Sequence, residues 1–231
     1  MAEPTRTQAR AAEIRLRWLT LAACLAPLLV LVAVFGTRFG LWSASFGLEI
    51  LTLKIARILA FAGLAAALVA VLIAFKDMRR RGLYAAVSLV VAGAAVALFA
   101  VQGQRFAVPA ANDVTTDAAE APAFSRAVLA MRGGRGEASA SVACPGLVSV
   151  SRQVAPETAA AALAAAGFTV RGAAPFRADG AKEGFWFGLT YDAAIRIRPG
   201  RTDVRVAQRE GVMVGDEACR LARAVMTGLQ S

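Results

Sequence analysis

No histidine occurs anywhere in the 231 residues. That removes the commonest general base and the commonest metal ligand together, and leaves any serine or cysteine nucleophile without an imidazole partner. Charge is also scarce: 18% of residues are charged and 58% hydrophobic, with mean hydropathy +0.56. Soluble domains carry about 25% charged and about 45–50% apolar residues, so the excess must lie outside an aqueous surface. Three cysteines, 20 glycines and 8 prolines exclude a disulfide-dense mini-protein and a collagenous repeat. The apolar content excludes intrinsic disorder.

The apolar residues are stored in three uncharged runs. Trp18–Thr37 is 20 residues long, Ile58–Phe75 is 18 and Gly82–Gln104 is 23, each bounded by arginine or lysine. A bilayer core of about 30 Å needs roughly 20 helical residues, so the spacing predicts three transmembrane α-helices over about 18–37, 55–75 and 83–103, within a transmembrane region 18–104. The first run exceeds a signal-peptide core and is followed by further spans, which favours an uncleaved anchor. Pro27 is expected to kink the first span. Before the second, Glu49, Lys54 and Arg57 interrupt an apolar stretch from Leu48, predicting an interfacial helix whose charges reach the headgroups, with Trp42 and Phe46 in the same belt. Gly63, Ala65–Ala67 and Ala92–Ala95 offer small faces for packing span two against span three.

Basic residues set the expected orientation. Arg6, Arg10, Arg15 and Arg17 lie in the 1–17 tail, and Lys76, Arg79, Arg80 and Arg81 between spans two and three; only Arg38, Lys54 and Arg57 lie between spans one and two. Eight against three predicts a multi-pass protein of a bacterial inner membrane with a cytoplasmic N-terminus and a periplasmic C-terminal domain. The net charge of +10 divides into +7 over residues 1–104 (11 basic, 4 acidic) and +3 over 105–231 (15 and 12). It therefore reads as topology signal and attraction to lipid, not as a nucleic-acid footprint.

Residues 105–124, punctuated by Pro109 and Pro122, read as a linker, and 125–231 as a small α+β domain with an antiparallel sheet. Pro156-Glu157-Thr158 opens an alanine-rich helix that ends at Gly167. Phe168–Ala173 reads as a strand. Phe185, Phe187, Leu189 and Tyr191 alternate with Trp186, Gly188, Thr190 and Asp192, which predicts a second strand with Trp186 on its other face. Ala194–Arg198 and Thr202–Val206 flank Pro199-Gly200 as a hairpin, placing Arg196 opposite Asp203 and Ile195 opposite Val204. Gly215–Leu229 carries an apolar stripe and reads as a C-terminal helix.

Several of these stretches resemble a known family. Asn112-Asp113-Val114-Thr115-Thr116-Asp117, followed by Ala121-Pro122-Ala123-Phe124, is similar to the Asn/His-Asp-Ile-Thr-Thr-Asp…Pro-Pro-Ala-Phe signature of the Domain of Unknown Function 1499 family. Asp192–Ile197 resembles its Asp-Asp-Val-x-Ile-Arg-Val strand. Asp203-Val204-Arg205, with Arg209 and Gly211, resembles its Asp-Val-Arg-Ser-x-Ser-Arg-x-Gly turn, and Gly36–Trp42 resembles the loop after the first span. The resemblance implies a bacterial envelope protein with an exported domain and carries over no activity. The chain departs from the pattern at Val206-Ala207-Gln208, where the family has Ser-x-Ser, and no Asp-x-Gly-x-Asn opens the last helix.

Candidate chemistry is sparse. Asn112, Asp113, Thr115, Thr116 and Asp117 group oxygen-bearing side chains that would suit a hard cation, with Asp113 and Asp117 the candidate ligands; the same residues build Asx and Ser/Thr turns, and the turn is preferred. Arg196, Arg198, Arg201, Arg205 and Arg209 on the hairpin suit an anion or lipid headgroup, or else a solvated outer face paired with Asp192 and Asp203. Trp186 suits packing or a ligand. Gly133–Gly136 lacks a following Gly-Lys-Ser/Thr and reads as a flexible connection. Lys182 lies in no Ser-x-x-Lys pattern. Cys144 and Cys219 both fall in the exported half, where a disulfide is permitted.

The expected function is a non-enzymatic one without a cofactor: envelope organisation through assembly with other envelope proteins or with itself. The alternative is a module that binds a lipid headgroup, anion or metal as an accessory to transport.

Overall fold

The computed structural model describes residues 6–106, 112–133, 142–212 and 215–230. The chain divides into two compact units, Met1–Gln104 and Arg105–Ser231.

In the first unit, α1 (Arg6–Arg38) runs unbroken through Pro27, so the described part of the tail continues the span as helix. A π-helical stretch, Phe46–Ala56, leads directly into α2 (Arg57–Ala74), and a single 3₁₀ turn joins this to α3 (Met78–Phe106). Three helical stretches, Glu13–Arg38, Phe46–Ala74 and Arg81–Gly103, are long and apolar enough to cross a membrane. Of the most apolar 18 residues in each, only 28%, 28% and 17% are buried. Most of that apolar surface faces outward, as it does when the solvent is lipid. The second stretch begins near Phe46, so the interfacial helix expected before the span is its first turns, with Lys54 and Arg57 exposed.

Alanine sets the close approach of the three helices. Ala23, Ala67 and Ala92 form one buried layer, and Ala26, Ala60 and Ala95 another. Ser88 donates to Thr20 Oγ1 at 2.9 Å, a polar link from α3 to α1. The small face of α2 meets α1: a Cβ on Gly63 would lie 3.2 Å from the Ala23 Cα, whereas Gly93 faces open space and Ala65 and Ala94 are exposed. The packing expected between spans two and three is present at Ala67 with Ala92, whereas Gly63 serves the contact with α1.

The Gly36–Trp42 loop closes on itself. Leu41 N–H donates to Gly36 O at 2.8 Å, and the Trp42 indole donates to Thr37 Oγ1 at 3.1 Å. A Cβ on Gly36 would lie 1.9 Å from the Trp42 ring, and one on Gly47 1.9 Å from Thr37 Oγ1. Gly36→Ala must therefore expel the indole. We expect a loss of about 1–3 kcal/mol and a lowered melting temperature in detergent; an unchanged melting curve would refute this reading of the loop.

The second unit is a six-stranded sheet in the order β2-β1-β6-β5-β4-β3. Its strands are β1 (Asp113–Thr115), β2 (Val142–Ala143), β3 (Thr169–Ala174), β4 (Arg177–Glu183), β5 (Thr190–Arg198) and β6 (Arg201–Gln208). All pairs are antiparallel except β1 with β2. Three helices accompany the sheet: α4 (Arg126–Met131), α5 (Pro156–Ala165) and α6 (Glu217–Gln230). One face of the sheet, with Ala193, Ile195, Val204 and Val206 buried, carries α5 and α6. Ala218, Leu221, Ala222, Val225, Met226 and Leu229 form the buried stripe of α6. The two helices nearly touch, since a Cβ on Gly228 would lie 3.0 Å from Ala162.

The hairpin has the expected register: Arg196 pairs with Asp203, and Ile195 with Val204. Two expectations are corrected. The 105–124 stretch is not wholly a linker, because residues 113–115 enter the sheet beside β6. Phe185–Leu189 is not strand: β4 ends at Glu183, and Phe185 and Trp186 sit in the loop before β5, 79% and 62% exposed. The Gly134–Gly136 part of the expected flexible connection lies outside the described residues.

Candidate functional site

Strand alternation sends Asp192, Ala194 and Arg196 of β5, and Asp203, Arg205 and Ala207 of β6, to the sheet face opposite α5 and α6. This face is not a solvated exterior. The chain that follows β1, residues 117–132, lies across it, with Phe124 and Val128 packed on Ala194 and Ala207. Asp192 and Asp203 are 0% exposed as a result, and Arg205 is 6%. The cover comes from the end of the stretch expected to be linker together with α4. The pairing expected with Asp192 and Asp203 is present, and only the solvated part of that expectation is corrected.

Three ionic groups lie between this segment and the sheet, the first two largely buried and the third open to solvent at its edge. Asp192 accepts from Arg132 at 2.8 Å and from Arg209 at 2.6 Å. Arg132 also donates to the carbonyls of Ala207 (3.3 Å) and Gln208 (3.0 Å). Arg205 grips Asp113 with two bonds, Nε to Oδ1 at 2.9 Å and Nη2 to Oδ2. The Phe124 ring lies between these groups, with the Arg132 guanidinium 4.8 Å and the Arg205 guanidinium 4.6 Å from its centroid. That arrangement adds cation–π attraction to both.

The third group is wider. Asp203 accepts from Arg198 at 2.7 Å, Arg201 at 2.8 Å, Arg196 at 3.1 Å and the Ser149 hydroxyl at 2.6 Å. Asp117 meets the same three guanidiniums at 3.1–3.2 Å. Glu120 bonds Arg198 at 2.9 Å and contacts Arg196 at 3.3 Å. Asp117 also forms a turn, since its Oδ1 accepts from Glu120 N–H, while Thr115 Oγ1 accepts from its own N–H.

Across the three groups, five carboxylates (Asp113, Asp117, Glu120, Asp192, Asp203) face six guanidiniums (Arg132, Arg196, Arg198, Arg201, Arg205, Arg209). The charges nearly cancel. Buried ions persist when they are paired and hydrogen-bonded. The buried members of this layer are paired, Arg196 Nε alone of their guanidinium nitrogens being buried without a hydrogen-bond partner among the described residues, while Glu120, Arg198 and Arg201 reach solvent. Its chemistry is that of a clamp: every pair except Arg196, Arg198, Arg201 and Arg209 with their own sheet neighbours ties residues 112–132 to β5 or β6.

Asp113 and Asp117, the candidate cation ligands, carry arginine partners, and the turn expected there is present. Among the described residues no three His, Cys, Asp or Glu side chains come together as a metal group. Asp192, Arg196, Asp203, Arg205 and Arg209 are brought together; Trp186 is not among them. Cys144 and Cys219 are joined, with Cα atoms 5.9 Å apart, pinning the chain after β2 to the first turn of α6. Arg132, Glu120 and Ser149 had carried no expected role. Behind the sheet, the Gln208 side-chain amide is buried with no hydrogen-bond partner among the described residues.

The network fixes the pH response. Burial pushes the Asp203 carboxyl up, but its bonds from Ser149, Arg201, Arg196 and Arg198 outweigh this and hold it below the ordinary 3.8. The Glu120 backbone N–H, then the charges of Arg201 and Arg196, hold Asp117 low against its own partial burial. A carboxyl depressed in the folded state stabilises above its unfolded pKa, and that stability goes as pH falls through the folded value. With no histidine, the melting temperature should be nearly flat from about pH 5 to 8 and fall below about pH 4. A steep slope across neutrality in a calorimetric pH series would contradict the clamp.

No family model, curated protein or solved structure matches the chain.

Proposed function

We propose that this is an envelope protein of the family it resembles: three helices cross the inner membrane, and the sheet domain, exported to the periplasmic side, acts by binding. Its partners are other envelope proteins or further copies of the chain. The clamp carries this reading. The polar residues on which a site would be built pair with one another and make a rigid plate from the signature segment and the sheet. The eight-to-three bias of basic residues supports the orientation, and the joined Cys144 and Cys219 suit an oxidising compartment.

Two experiments test it. Alkaline phosphatase fused after Gln230 should be active, and an inactive fusion overturns the orientation. Crosslinking in intact membranes should yield discrete adducts above the 24.0 kDa monomer. Monomer alone, across several crosslinker lengths, would remove assembly as the function.

A further inference from the structure

The β4–β5 loop is a built feature. Gly184 N–H closes on Leu189 O at 2.8 Å, and Gly188 turns the chain with φ +66°. Thr190 N–H is held by both Glu210 carboxylate oxygens at 3.0 and 3.1 Å. At the crest, Phe185 and Trp186 meet edge to face with centroids 5.3 Å apart, and both remain largely exposed. Two adjacent exposed aromatics on a closed turn are unusual on a small domain whose other large side chains are mostly in the core.

Register shows where this crest lies. Asp113, Ala207, Asp192, Ala181 and Thr169 form one row across β1, β6, β5, β4 and β3. The loop projects just beyond that row, about two strand spacings (roughly 10 Å) from where the chain enters β1. Only six residues separate Phe106, the end of α3, from Asp113. At full extension they allow about 25 Å. The sheet end bearing the aromatics is therefore the end tethered to the third apolar helix; Phe176, also exposed, is at the opposite end.

We propose that Phe185 and Trp186 seat in the interfacial zone of the bilayer that the protein's own helices cross. This rests on the spanning reading above. Tryptophan and phenylalanine favour the water–lipid boundary, where an apolar ring is covered and the indole N–H stays hydrated. The short tether raises the effective concentration of the crest at that surface, so a weak anchor suffices. A second protein fits less well: two aromatics bury about 400 Å², well below the roughly 800 Å² per partner of a stable interface. The basic groups nearby are engaged inside the domain, Lys182 on the Ala166 carbonyl at 2.9 Å and Arg209 on Asp192. The seating is therefore apolar, and it persists in uncharged lipid.

The test uses the full chain, one copy per phosphatidylcholine nanodisc, in a Cys24→Ala background with the disulfide intact. Nitroxide labels are placed singly at Leu68→Cys, exposed on α2, at Phe185→Cys and at Phe176→Cys, and collisions with oxygen and with a water-soluble nickel chelate are compared. The labels at 68 and 185 should both favour oxygen, with the ratio at 185 several-fold above that at 176, and Trp186→Ser should move the label at 185 toward nickel. If 185 matches 176, or is shielded from both agents as in a protein contact, the proposal fails while 68 still reports lipid. If 68 itself favours nickel, the spanning reading fails and the proposal with it.

Discussion

Asp192→Asn is expected to lower the stability of the sheet domain by about 3–5 kcal/mol, because it leaves a buried guanidinium without its counter-charge. Arg132 and Asp192 have side chains 3% and 0% exposed, so water cannot replace the lost partner. Asparagine fills nearly the same volume, so the loss is electrostatic and not a cavity effect. For a unit of this size the midpoint should fall by roughly 10–20 °C. Arg201→Ala is the contrasting case. That side chain is 44% exposed and shares Asp203 with Arg196 and Arg198, so its loss should stay within about 1 kcal/mol. Arg132→Met added to Asp192→Asn should recover part of the deficit, since it removes the more deeply buried of the two stranded guanidiniums. Should Asp192→Asn melt within a few degrees of the parent, the layer beneath residues 117–132 is not what holds them.

Removing the disulfide is the second large effect. Cys144 and Cys219 are 75 residues apart in sequence, and on the chain-entropy estimate closing such a loop stabilises the fold by about 4 kcal/mol. Cys144→Ser with Cys219→Ser, or reduction of the parent, should therefore lower the midpoint by roughly 15 °C. Cys219 lies on α6, across the sheet from the ionic clamp, so this loss and that of Asp192→Asn should add. A parent whose melting curve does not respond to reductant would show that the link contributes nothing to stability.

Legibility followed the range over which the determining contacts act. The β5–β6 register was readable because Pro199-Gly200 is a tight turn and the alternation on either side leaves one pairing. α5 was announced by Pro156 and closed by Gly167, and α6 by its six-residue apolar stripe. β4 was not readable: Arg-Ala-Asp-Gly-Ala-Lys-Glu has no apolar period, and its central residues are buried only because neighbouring strands and α5 cover them. The aromatic alternation from Phe185 imitated a strand although the chain turns there. The clamp was half legible. Asp192, Arg196, Asp203, Arg205 and Arg209 stood out, but the partners Arg132 and Asp113 lie 60 and 92 residues from the groups they bind. Nothing local in residues 105–124 signals that three of them add a strand to a distant hairpin.

The proposed export of the sheet domain is tested by counting thiols. Intact cells are quenched in acid, and the denatured chain is alkylated with a mass-tagged maleimide without reductant. The account predicts a single added tag, on Cys24, rising to three after reduction, because Cys144 and Cys219 meet in an oxidising compartment. Three tags before reduction would mean that the sheet domain remains on the reducing side, and would contradict the account.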